Sequence, residues 1–263
     1  MTASLRRFGL EDLKPVSTPM DPATRLTSEQ SPKSTLEISH MANIPYQEAV
    51  GTLMYTVLET RPDIAYAIQV LSKYSKNPGE FHWEAVKRVF CYLRGTRELW
   101  LTYGRAGENL VGFTDADGNM SEDCRATSGY AFIINRGTVF WSAKRQEVVT
   151  LSTTESEYVG ATHTAKEAIW LRSLISQVFK STLPSTTIFS DNKSAITLTE
   201  DHQYHARTKH IDIRYHFICW IIEEDKIQLV YCPTKDMIAD TFTKALPSPK
   251  VKHFACELGL AMV

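Results

Sequence analysis

The hydrophobic pattern first turns from helical to β-like near residue 105, and that change constrains the fold more than any other feature. From residue 44 to about 95, apolar residues recur every three to four positions. After the change come short β-prone runs at 110–114, 129–135, 138–141 and 148–151, separated by turn residues. Arg136-Gly137 sits where a hairpin turn would join the second run to the third. A long helix is predicted over 155–179, with Tyr158, Ala161, Ala165, Ala168, Leu171, Ile175 and Val178 on one stripe. A strand at 186–190, a helix near 194–198, a second long helix around 211–224 and a strand at 227–231 follow. Helices at 237–245 and 251–258 complete the chain. An antiparallel meander joined to parallel strands describes an α/β fold, a mixed sheet with helices on its faces.

The first 105 residues read differently. Residues 1–42 are rich in Pro, Ser and Thr and show little apolar periodicity, so they are expected to form an irregular lead-in. Residues 43–105 carry three helical stripes: Tyr46, Val50, Leu53, Met54 and Val57; Ile64, Ala67, Ile68 and Leu71; and Trp83, Val86, Phe90 and Leu93. Pro62 suits the first position of the second helix and Gly95 the end of the third, which predicts a small helical bundle. The domains expected are thus 1–42, 43–105 and 106–263. Trp83, Trp170 and Trp220 all fall on apolar stripes and are expected in the core rather than against bases.

Composition excludes several classes. The chain is 43% hydrophobic and 22% charged, too apolar for a disordered protein. No run approaches the ~20 apolar residues of a membrane helix, and the N-terminus lacks the apolar stretch of a signal peptide. An intracellular protein without a membrane anchor is expected. Five scattered cysteines with no C-x-x-C pair suit neither a disulfide framework nor a zinc site. The net charge of −1 argues against binding nucleic acid by bulk electrostatics, though not against a nuclease, whose active site is acidic.

Four acids are placed suggestively. Asp115 and Asp191 each end a β-prone run, and ligands of open α/β sheets gather beyond the carboxyl ends of strands. Glu157 falls in the first turn of the long helix and Asp240 near the start of a late one. Clustered carboxylates without Cys or paired His favour hard cations, Mg²⁺ or Mn²⁺. Spacing alone leaves other roles open. A strand-end Asp serves as a cap or turn former. Glu157 fits a capping box with Thr154, and Asp240 fits an exposed first-turn acid.

The words around these acids are more specific. FTDADG (113–118), RATSGYAFI (125–133), FWSAKRQ (140–146), LSTTESEY (151–158), FSDNKSAI (189–196), RTKHIDIRYHF (207–217) and YCPTKDMIADTFTKAL (231–246) follow one another in order. They resemble the ribonuclease H domain of copia-class LTR retrotransposon Pol polyproteins. RFGLEDLKPVSTPM (7–20), YQEAVGTLMY (46–55), TRPDIAYAIQVLSKY (60–74) and HWEAVKRVFCYLRGT (82–96) resemble the segment before it, the thumb and connection end of the reverse transcriptase. The paired-aspartate Y-V-D-D box of the polymerase site is absent, so DNA synthesis is not expected.

The resemblance implies a ribonuclease H-like α/β fold, a mixed five-stranded sheet with helices on both faces preceded by a small helical thumb/connection segment. On the same resemblance, Asp115, Glu157, Asp191 and Asp240 are expected as both catalytic residues and ligands of two Mg²⁺ ions, Mn²⁺ substituting; Glu155 is the competing register for Glu157. It implies hydrolysis of the RNA strand of an RNA–DNA hybrid, leaving a 3′-hydroxyl and a 5′-phosphate, in a chain whose other partner is the rest of the Pol polyprotein. Two departures stand out. The short Pro233-Thr234-Lys235-Asp236 stretch lacks the loop His of many cellular relatives, and Asp117-Gly118-Asn119 replaces an aromatic residue after D-A-D.

Lys144, Arg145, Thr153, Lys193, Arg207 and His210 are candidate substrate contacts. The strip holding His205, Arg207, Lys209, His210 and His216 reads either as hybrid contact or as ordinary hydrogen-bonded side chains. The alternative to an enzyme is a catalytically silent transposon remnant acting as an effector-like binding module. Charge takes on another meaning in this light. Residues 1–105 carry 13 Lys and Arg against 11 Asp and Glu, and residues 106–263 carry 16 against 19. Two bound dications would offset the excess acid of the second part.

Overall fold

The computed structural model describes residues 2–104, 109–118, 124–180, 182–200 and 212–262. Its chain divides into two units, Met1–Thr102 with Lys244–Val263, and Tyr103–Thr243. No helix of the described residues is long and apolar enough to cross a membrane, and the five cysteines are free thiols.

The first unit begins with α1 (Thr2–Arg7), α2 (Thr35–Ala42), α3 (Tyr46–Glu59), α4 (Ala65–Ser72), α5 (Glu80–Gly95) and β1 (Leu99–Leu101). The lead-in expected to be irregular therefore contains two helices and a 3₁₀ turn at Ser28–Gln30. What starts α2 is a capping box at Ser34-Thr35-Leu36-Glu37. The Ser34 hydroxyl accepts from the Glu37 amide, and the Glu37 carboxylate accepts from the amides of Ser34 and Lys33. Those backbone hydrogen bonds hold Glu37 below the usual carboxylate range. A short helix fixed by its cap leaves little apolar periodicity to read.

Tyr46, Leu53, Ile64, Leu71, Phe90 and Leu93 form the core of this unit, all from the predicted stripes. A charged pair lies among them. Arg61, at the break between α3 and α4, donates from Nε and Nη2 to the two carboxylate oxygens of Asp63 at 2.9 and 2.6 Å. The Tyr92 hydroxyl donates to Asp63 Oδ2 at 2.7 Å, and Arg61 also reaches the Thr96 hydroxyl. Burial, then the neighbouring Asp63 carboxylate, pushes the Tyr92 phenol well above its ordinary range. Both partners are almost fully buried, a state tolerated only when every charge is paired.

The second unit contains β2 (Val111–Asp117), β3 (Thr127–Ile134), β4 (Gly137–Arg145), α6 (Thr153–Phe179), β5 (Thr186–Ser190), α7 (Lys193–Glu200), α8 (Asp212–Glu223) and β6 (Ile227–Tyr231). The sheet order is β4-β3-β2-β5-β6. The β2–β3 and β3–β4 pairs are antiparallel, while β2–β5 and β5–β6 are parallel. This is the mixed five-stranded sheet that the ribonuclease H resemblance implies. The helix α6 lays Tyr158, Ala161, Ala165, Ala168 and Leu171 against Leu110, Phe132 and Ile188, and Ile218 and Ile221 of α8 join the same core. On β3, Gly129 faces away from α6 and meets Phe242 of a 3₁₀ turn, Ile238–Phe242, on the other side of the sheet.

Four local expectations need correction. The β3–β4 hairpin turns at Asn135-Arg136, not Arg136-Gly137. Both residues are left-handed, with φ of 52° and 63°, which suits a two-residue turn matched to strand twist. Residues 148–151 form no strand: the Leu151 amide donates to Glu155 Oε2 in the cap of α6, and the Val149 and Leu151 side chains are exposed. The helix expected over 237–245 is the single 3₁₀ turn at Ile238–Phe242. Trp83 is buried, but Trp170 and Trp220 are half exposed. Trp170 lies against Phe140, and Lys226 sits 4.7 Å over the Trp220 ring.

The chain then returns to the first unit. Helix α9 (Ser248–Glu257) leads to β7 (Leu260–Met262), which pairs antiparallel with β1. The sequence places residues 244–263 with the domain that begins at 106. In the structure this pairing, with the Thr102 amide donating to the Gly259 carbonyl at 2.8 Å, holds them in the first unit.

Removing the Asp63 carboxylate would leave the Arg61 guanidinium buried without its counter-charge. Asp63→Ala is expected to destabilise the first unit by about 3–5 kcal/mol, read as a lowered midpoint in urea unfolding followed by circular dichroism.

Candidate metal centre

Strand register brings the first two acids together. In the parallel pairing of β2 with β5, Phe113 lies opposite Phe189, and their rings stack with centroids 5.0 Å apart. Asp115 and Asp191 each lie two residues further on. Side chains alternate with period two in a strand, so Asp115 lies on the same face of β2 as the Phe113 ring. Extending the register by two residues brings Asp191, just past the end of β5, to its level. The central position of β2, paired on both edges, buries Asp115 almost completely, while Asp191, just past the end of β5, stays partly open.

The third acid comes from α6. The helix starts at an N-cap Ser152, whose hydroxyl accepts from the Glu155 amide at 3.1 Å, while Glu155 Oε2 accepts from the Leu151 amide at 2.7 Å. The capping pair is therefore Ser152 with Glu155, not Thr154 with Glu157. Glu157, two residues on, turns inward and accepts from the Ala116 amide at 3.1 Å through Oε2. One oxygen each from Asp115, Glu157 and Asp191 lie within 4.8 Å of one another.

Asp240 is not in this trio. It is buried on the 3₁₀ turn, where its carbonyl accepts from the Thr243 amide at 3.2 Å. A link to the trio runs through Thr243, whose hydroxyl donates to Asp115 Oδ2. Electrostatics give a second: burial pushes the Cys232 thiol up, and the carboxylates of Asp236, Asp191 and Asp240 push it further.

Sequence reasoning missed the groups that hold these carboxylates. Thr243 serves Asp115, the Thr234 hydroxyl donates to Asp191 Oδ2 at 2.9 Å, and a backbone amide serves Glu157. The sequence signal for the two threonines was their place in the motif at 231–246, and for the Ala116 amide its place in the motif at 113–118. Three converging carboxylates, each oriented by a donor, make an all-oxygen set of the kind that holds Mg²⁺ or Mn²⁺.

The candidate substrate contacts are scattered. Lys144 is exposed and pairs with Glu147 at 3.3 Å. Arg145 is partly buried at the end of β4, and Thr153 is the exposed first residue of α6. Lys193, just after Asp191, lies 4.5 Å over the Tyr231 ring. Arg207 and His210, with His205 and Lys209 of the same strip, lie outside the described residues.

A sheet of this order, with acids on β2, just past the end of the adjacent parallel β5 and on the helix between them, is a ribonuclease H-like fold. No family model matches the chain. It is 42% identical over 247 residues to the retrovirus-related Pol polyprotein from transposon TNT 1-94 of Nicotiana tabacum, covering 94% of this chain and 18% of that protein. It is 47% identical over 134 residues to secreted RxLR effector protein 161 of Plasmopara viticola, covering 50% of this chain and 94% of that one. Among solved structures, LC11-RNase H1 in complex with an RNA/DNA hybrid is 14% identical with a TM-score of 0.39, covering 51% of this chain and 94% of that one. The chain belongs to the retrovirus-related Pol polyprotein family of transposons, whose copia-class motifs it carries. It spans less than a fifth of the length of the transposon relatives it matches.

Two substitutions test how the site is built. A Cβ at Gly129 would run into Phe242, so Gly129→Ala should displace the 3₁₀ turn and cost about 1–3 kcal/mol. Glu155→Ala should cost only about 1 kcal/mol, the value of a helix cap. Urea unfolding of both variants beside the parent chain checks the ranking.

Proposed function

We propose that this chain hydrolyses the RNA strand of RNA–DNA hybrids at the Asp115–Glu157–Asp191 centre, with Asp240 as a fourth acid. The observation that carries the reading is the convergence of three carboxylates from β2, α6 and β5 within 4.8 Å. So many like charges in a largely buried place are unfavourable without a cation. The four acids would hold two Mg²⁺ ions, or Mn²⁺ in their place. When bound, such a pair activates a water and stabilises the leaving oxygen of a phosphodiester.

The chain's own residues set the geometry. Asp115, in the β2–β3 ladder, accepts from the Thr243 hydroxyl, and Asp191, just past β5, accepts from the Thr234 hydroxyl, so a donor orients each. Glu157 is held by the Ala116 amide, so the helix acid and the strand acid are positioned by the same stretch of β2. Lys144, Arg145, Thr153, Lys193, Arg207 and His210 are proposed to meet the hybrid around this centre. Specificity for RNA would rest on hydrogen bonds to 2′-hydroxyls across the wide minor groove. The products would be a 3′-hydroxyl and a 5′-phosphate, and the rest of the Pol polyprotein would be the natural covalent partner.

A second reading has one observation behind it. The effector-protein relative matches over nearly its whole length, so a chain of this kind could serve as a binding module without turnover.

With a labelled RNA–DNA hybrid and Mg²⁺, the parent chain is expected to cleave the RNA strand, to stop on addition of EDTA and to recover with Mn²⁺. Asp115→Asn, Asp191→Asn and Glu157→Gln should each lose about 10³-fold or more in rate, beyond the loss of a single neutral hydrogen bond that stabilises developing charge. Glu155→Ala should retain the parent rate. Hybrid binding without any metal-dependent cleavage by the parent chain would sink the enzymatic reading and favour the binding module.

A further inference from the structure

Gln146 closes the motif at 140–146, and the proposed chemistry gives it no part. It is 2% exposed and lies one residue past the end of β4. Its backbone amide donates to the Ala126 carbonyl at 2.8 Å. Its side-chain Nε2 donates twice, to the Ser128 hydroxyl at 2.7 Å and to the Ser156 carbonyl at 2.8 Å. Because Ser156 offers a carbonyl there, the amide must present its nitrogen to α6. Its oxygen, Oε1, is buried with no hydrogen-bond partner among the described residues.

These bonds close a ring around one acid. Ser128 on β3 lies opposite Ala116 on β2. The Ala116 amide donates to Glu157 Oε2. Glu157 directly follows Ser156, whose carbonyl Gln146 holds. The ring thus runs from Gln146 to Ser128, across the ladder to Ala116, on to Glu157, and back through Ser156. The helix also approaches the sheet closely here: a Cβ at Gly160 would stand 3.4 Å from both the Ala116 Cβ and the Ser128 hydroxyl. Side-chain amides elsewhere in the described residues make no comparable bridge between a strand beside Asp115 and the first turns of α6.

An unsatisfied buried carbonyl opposes folding, so this glutamine is poorly explained as a stabilising strut. An apolar side chain of the same length would fill the space without the orphan oxygen. We propose that Gln146 is a positioning residue that sets the first turns of α6 against β2 and β3, and so holds Glu157 at the distance from Asp115 that metal binding requires. The inference rests on the proposed metal-dependent cleavage and assigns a residue to that site's geometry. Residues one shell out from metal ligands typically change metal affinity or activity by about 10–100-fold.

The test is Gln146→Met in the full chain, which keeps length and apolar packing and removes the amide. The urea midpoint should fall, because two buried hydrogen bonds are lost, with the variant still folded. The Mg²⁺ concentration giving half-maximal hybrid cleavage should rise about 10–100-fold, with KM for the hybrid unchanged. Parent-like Mg²⁺ dependence overturns the assignment, whatever happens to stability. Ser128→Ala, which removes one acceptor of the same amide, replaces it if the Met variant does not fold: a smaller rise in the same direction supports the assignment, and no rise overturns it. If the parent chain does not cleave, Mn²⁺ binding followed by electron paramagnetic resonance separates the two ideas. Weaker Mn²⁺ binding in the variant than in the parent upholds the positioning role without the activity. Equal binding overturns it, and no binding by the parent overturns both.

Discussion

The parallel pairing of β2 with β5 is the constraint on which the rest of the second unit depends. It stacks Phe113 on Phe189 and carries Asp115 and Asp191 to the same level, one strand spacing apart. Two carboxylates at about 5 Å repel each other unless something of opposite charge or hydrogen-bonding character intervenes. The surroundings are arranged accordingly. The 3₁₀ turn brings Thr243 to one carboxylate, and the loop after β6 brings Thr234 to the other. Gly129 is needed on β3 because the turn carrying Phe242 approaches too closely for any side chain.

The first unit meets a similar problem by a different device. Arg61 and Asp63 are buried as a two-bond ion pair, completed by the hydroxyls of Tyr92 and Thr96. There the charges cancel inside the protein. In the second unit the three acids converge with hydrogen-bond donors around them. The near-neutral total charge of the chain therefore averages over two unlike arrangements, one balanced internally and one a convergence of like charges.

Much of the fold was legible in the sequence. The strand that carries Asp115 and the one just before Asp191 show as short β-prone runs, and α6 shows as a long helix with one apolar stripe, begun two residues late. Errors fell where a local signal had two outcomes. The run Val148-Val149-Thr150-Leu151 is β-prone, but its backbone is used to cap α6. Trp170 and Trp220 lie on stripes that read as apolar, yet they sit at the edge of the buried arc rather than its centre. Glu155 and Glu157 both lie near the start of α6, and nothing local distinguishes the one that caps from the one that turns inward. The last strand, three residues long, pairs with a partner about 160 residues away, a distance at which periodicity carries no information.

The sequence by itself determined the period of each segment, the place of each acid relative to its strand or helix end, and the family. These depend on residues a few positions apart, whose spacing sets which way side chains point. Tertiary structure alone decided that Asp115, Glu157 and Asp191 converge while Asp240 stands beside them. It also placed Gln146, Thr234 and Thr243 around them and returned the C-terminus to the first unit. Each of these depends on the register of paired strands and the phase of a helix laid across them. A shift of one residue in either would turn the same side chains to the opposite face.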